Sequence, residues 1–125
     1  MRLEYLPDGS DDCPLVRVFA FTPAAVARLH AAVTALAAGD LSSVEGHHLP
    51  GVEAVPGCRL TLRTGKRDRG LVPLTGPDSF DCILTRDGWD NVAYRIEPSL
   101  SGCDGYQWLD QTGDIALLLS WDGQW

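Results

Sequence analysis

The sequence predicts a single α+β domain over residues 1–125, with a mainly antiparallel sheet of about five to seven strands. One long helix at about 23–38 and one short helix at about 88–97 are expected to pack on it. Three observations carry this reading. The run TPAAVARLHAAVTALAAGD, Thr22 to Asp40, holds both of its own end signals: Thr22 to cap the first backbone donors, Pro23 for the first helical position and Gly39 for a left-handed stop. CRLTLRT and SFDCILT alternate apolar and polar residues at strand length. DIALLLSW is apolar on both alternating sets, as a strand buried on both faces is.

Along the chain, RLEYL (2–6) and PLVRVFAF (14–21) read as strands joined by the turn-rich PDGSDDC, a hairpin with a loose loop. In the helix that follows, Val26, Leu29, Val33 and Leu36 form one apolar stripe, which should lie on a sheet. The segment 41–57 carries Gly46, Pro50, Gly51, Pro56 and Gly57 and is expected to be irregular, with one short strand. CRLTLRT, GKRDRG and LVPL then suggest a second hairpin with a charged tip, Pro73 placing its strand at an edge. After SFDCILT, the run RDGWDNVAYRIEP reads as a short helix capped by Asp87 and ended by Pro98, pressing Trp89, Val92, Ala93 and Ile96 onto the sheet. YQWLD and DIALLLSW make a last hairpin. Two segments share the plan of a strand, then Thr22 or Thr85, then a helix. That hints at a β-β-α duplication, with too few matched positions to count as a repeat.

A chain of 125 residues is long enough to bury a core without staples. The N-terminal residues lack the apolar run of a signal peptide, and no stretch approaches the roughly 20 apolar residues of a membrane span, so a cytoplasmic location and no membrane contact are expected. The four cysteines, Cys13, Cys58, Cys82 and Cys103, lack the paired spacing of a zinc or redox motif and read as reduced thiols, with Cys58 and Cys82 at core positions. The net charge is −7, and its excess is all C-terminal: residues 70–125 hold nine acids against Arg86 and Arg95 alone. Arg59, Arg63, Lys66, Arg67 and Arg69 crowd together, so the molecule is expected to be electrically two-sided. One small basic cluster in a chain of sequence pI near 4.7 argues against nucleic-acid binding.

No motif names a reaction. The chain has no nucleophile elbow, no HExxH, no phosphate-binding or dinucleotide loop and no calcium loop. His47 and His48 are the first candidates for acid/base chemistry. On extended backbone their side chains would point to opposite faces and not close on one metal, whereas Glu45 and His47 would share a side. No metal or cofactor is expected. His30 reads as a boundary residue of the first helix. Trp89 and Trp121 fit buried stripes, whereas Trp108 and Trp125 are free to meet a ligand or partner. Asp90, Asp110 and Asp122 stand near the tryptophans in the acidic part.

The leading reading is a non-catalytic protein-interaction module, with an inhibitor or immunity-like factor against a basic protein as its narrower form. It would bind a partner, or itself, through the Ala-rich helix face (Ala24, Ala27, Ala31, Ala35, Ala38) or the acidic Trp-bearing C-terminal part. The alternative is a small hydrolase or ligand-binding domain with a pocket near residues 41–57 using His47 or His48. A sugar site on Trp108 and Trp125 is a third reading.

Overall fold

The computed structural model describes residues 1–102 and 104–125; the thiol expected at Cys103 lies outside the described residues. The described residues form nine strands and two helices: β1 (Arg2–Leu6), β2 (Leu15–Phe19), α1 (Pro23–Ala38), β3 (Ser43–Glu45), β4 (Glu53–Val55), β5 (Arg59–Thr64), β6 (Gly70–Pro73), β7 (Ser79–Leu84), α2 (Arg86–Leu100), β8 (Tyr106–Asp110) and β9 (Ala116–Ser120). The α+β class holds. In place of one mainly antiparallel sheet there are two mixed ones, ordered β4-β1-β2-β9-β8 and β3-β5-β7-β6, with parallel pairs at β1/β4, β2/β9 and β5/β7.

The expected hairpins β1/β2 and β8/β9 form, the latter with a bulge between Trp108 and Asp110. The expected hairpin between β5 and β6 does not, because both strands pair with β7, one on each side of it. The charged segment between them drapes over the end of β7, with the Gly65 N–H donating to the Leu84 carbonyl at 2.9 Å and the Arg69 N–H to the Ile83 carbonyl at 2.8 Å. It is a crossover link, and Pro73 does sit on the edge strand β6. Residues 41–57 contain two short strands, β3 and β4, instead of one, separated by a 3₁₀ turn at Gly46–His48.

α1 keeps the predicted ends. The Thr22 hydroxyl accepts from the Ala25 N–H, and Gly39 takes the left-handed conformation at φ 81°. Its stripe Val26, Leu29, Val33 and Leu36 is buried in the core shared with the inner faces of both sheets, and the helix packs on α2 as well, with the small Ala25 and Ala32 buried alongside the stripe. α2 is longer than the sequence suggests. Thr85, not Asp87, is its cap, accepting from the Gly88 N–H, while Pro98 lies inside the last turn, where its fixed φ suits the helix and only one backbone bond is lost. The two helices and the inner faces of both sheets share one core, in which Trp89, Leu36, Leu84 and Ile96 are fully buried.

The halves of the chain repeat one plan in space. β1 and β2 pair antiparallel and lead into α1, as β6 and β7 do into α2. After its helix each half donates an antiparallel pair to the other half's sheet: β3–β5 joins β7 through β5, and β8–β9 joins β2 through β9. The link between the donated strands differs most. It is a short turn between β8 and β9, but in the first half it holds the 3₁₀ turn, β4 and both histidines of the pair.

Candidate functional site

The 3₁₀ turn is built where the sequence offers no room for a longer helix, between Gly46 and the Leu49–Pro50 step. Gly46 is buried against β5, and a Cβ there would lie 3.2 Å from the Leu60 carbonyl oxygen, so the turn sits close on the strand because it starts with glycine. His47 Nδ1 lies 3.1 Å from the Leu60 N and 3.2 Å from the Leu60 O. That backbone contact fixes the ring and leaves Nε2 as its free nitrogen. His48 Nδ1 pairs with Glu45 Oε2, three residues back.

The expected divergence of His47 and His48 is therefore overturned. Their ring centroids are 4.3 Å apart, because the backbone here is a tight turn and not extended, so adjacent residues swing to one side. One ligand atom from each of Glu45, His47 and His48 lies within 4.8 Å of the others, a set that fits a divalent transition metal. Glu45 and His47 also line an open groove of about 460 Å³ with Arg59, Thr61, Thr75 and Ser79. Beneath the segment, the cavity lined by Leu3, Leu29, Leu49, Val52, Leu60 and Trp89 is apolar and measures only about 30 Å³, small for an organic ligand.

The remaining candidates scatter. Asp90 is exposed on α2. Asp110 is buried and accepts from the N–H and hydroxyl of Thr112, so it shapes the β8–β9 turn. Asp122 accepts from the Gln124 N–H at 2.9 Å and organises the last turn. Trp125 is half-buried with its indole N–H on Asp12 at 3.0 Å, and Arg17 donates to the Gly123 carbonyl at 2.8 Å, so residues 121–125 fold back on the outer face of the larger sheet. Trp121 stacks on Phe21 at 4.4 Å, and Trp89 is fully buried with its indole N–H on the Arg63 carbonyl at 2.9 Å. His30 is half-buried on α1. Of the Ala-rich face, Ala24, Ala27, Ala31 and Ala38 are exposed and Ala35 is half-buried.

A second surface gathers at β8, which the sequence reading approached only through Trp108. β8 is an edge strand. The Trp121 N–H to Gly105 carbonyl bond sets its alternation, so the backbone amides of Tyr106 and Trp108 point away from β9. Tyr106 is 49% exposed and meets half-buried Trp108 edge-on at 6.3 Å. On the strand's other side a groove of about 410 Å³ runs between Gln107 and the Tyr94, Arg95, Glu97 and Pro98 side of α2, with Tyr94 73% exposed. The two bases of residues 70–125 are both held by carbonyls, Arg86 by Ala37 and Ala38 and Arg95 by Leu109. Asp87, Asp90 and Glu97 on the same helix make no ion pair among the described residues. Among the described residues, no helix is long and apolar enough to cross a membrane. Comparison with family models, curated proteins and solved structures finds no match to this chain.

Proposed function

We propose that the protein is a non-catalytic interaction module that takes an extended, basic segment of a partner protein as an added strand along β8. The observation that supports this is the contrast among sheet edges. β3 and β4 have three residues each and β6 carries Pro73, the usual devices against unwanted pairing. β8 has five residues, no proline and no charge before the buried Asp110, and exposed aromatic rings flank it on both sides. Main-chain pairing would supply affinity, and the Tyr94–Gln107 groove and the Tyr106–Trp108 pair would read alternate side chains of the incoming strand. The unpaired Asp87, Asp90 and Glu97 favour lysine or arginine in that segment. An inhibitor or immunity-like role against a basic protein is the narrower form of the same reading. The exposed alanines of α1 offer less apolar area per residue than these rings and rank below them as a docking surface.

The test is selection of a displayed random-peptide library on the immobilised protein. Enriched peptides should carry basic residues in an extended β-forming pattern, and Tyr106→Pro, which deletes one outward amide and one ring, should weaken them at least ~10-fold while the fold is kept. An absence of enrichment, or peptides indifferent to Tyr106→Pro, removes the proposal.

A further inference from the structure

From the geometry of the 3₁₀ turn we infer a surface site for a zinc-like divalent transition metal, held by Glu45, His47 and His48. Two imidazoles and a carboxylate are the donor set that borderline dications such as Zn²⁺ prefer, and three protein donors leave a coordination position open to water or to a ligand atom. His47 is held against β5: its Nδ1 lies 3.1 Å from the Leu60 N and 3.2 Å from the Leu60 O, and in the tautomer that donates to the carbonyl its Nε2 carries the lone pair, the arrangement in which a backbone carbonyl fixes a metal-bound histidine. His48 and Glu45 meet through Nδ1 and Oε2, the atoms between which a metal replaces the shared proton.

A tetrahedral zinc with bonds near 2.05 Å spaces its donors about 3.3 Å apart, so the present separations, all within 4.8 Å, close with small side-chain rotations. Those rotations are free, because His48 and Glu45 side chains are 67% and 58% exposed. An ordinary surface ion pair accounts for Glu45 with His48 but not for the His47 ring, whose centroid lies 4.3 Å from that of His48. Glu45 and His47 line the same groove as Arg59, Thr61 and Ser79, so an anionic group of a ligand bound there would find a second positive partner in Arg59.

The experiment is calorimetric titration of untagged, chelator-treated protein with Zn²⁺, then Mg²⁺, repeated on His48→Ala and Glu45→Gln. Both altered side chains are exposed, so the metal-free variants should melt as the parent does. One Zn²⁺ per chain with micromolar affinity, weakening of ~10-fold or more in each variant, and no Mg²⁺ binding are the expected results. Absence of Zn²⁺ binding, binding that survives both substitutions, or equal binding of Mg²⁺ overturns the site.

Discussion

Cys58 shows how one side chain ties burial to pH. It is fully buried in the core immediately before β5, and burial, then the negative charges of Asp78 and Glu4, push its thiol up to about 12. Burial moves Cys82 in the same direction. The folded state therefore keeps its thiol protons at pH values where the unfolded chain has released them. This stabilisation is complete below the ordinary thiol value of 9.0 and is lost as pH rises from there toward 12, at no more than ~1.4 kcal/mol per pH unit for each thiol. Thermal melts over that range should fall with pH. Cys58→Ala, although less stable at neutral pH, should show a shallower fall; an unchanged slope would refute the coupling. The histidine pair shows where residue-level reading stops. Its adjacency, and its place beside Glu45, are plain in the sequence, but period-two alternation assumes extended backbone, and only the packing of Gly46 on Leu60 converts that stretch into a turn.

At the scale of elements, local signals were mostly sufficient. Thr22, Pro23 and Gly39 bound α1 because each acts on its own neighbours. α2 looks shorter in the sequence than it is, since Asp87 and Pro98 are nearer and louder signals than Thr85, whose capping role is reinforced by a distant residue. Asp68, in the crossover link, accepts from both the Thr85 N–H at 2.8 Å and its hydroxyl at 2.9 Å. Thr85→Ala and Asp68→Ala should each cost ~1 kcal/mol by urea denaturation, and the double variant should cost less than their sum, because one network is removed twice. Strict additivity would mean that the link does not brace the helix. Short strands such as β4 escaped notice for the opposite reason: three residues carry almost no periodicity, and β4 exists through its pairing with β1.

For the whole molecule, the sheet order was the illegible part. β5 and β6 look like a hairpin because they are neighbours in sequence with a turn between them, and nothing local says that β7 must slide between them. The parallel pair β2/β9 joins residues about a hundred positions apart, beyond the reach of any pattern. The charge asymmetry is legible, since it needs only counting: five of the ten bases, Arg59, Arg63, Lys66, Arg67 and Arg69, lie on and beside β5, and the unpaired acids Asp87, Asp90 and Glu97 lie on α2. The exchange of strands between halves has a mechanical meaning. Neither half encloses a sheet of its own: residues 1–66 alone would leave β2 and β5 each with an unsatisfied long side, and residues 67–125 would do the same to β7 and β9. A chain cut between the exposed Lys66 and Arg67 should therefore yield two pieces that are disordered apart and regain structure on mixing, with circular dichroism rising at one-to-one stoichiometry. The molecule behaves as an intramolecular heterodimer, and its two pieces would serve as a split reporter whose signal depends on their meeting.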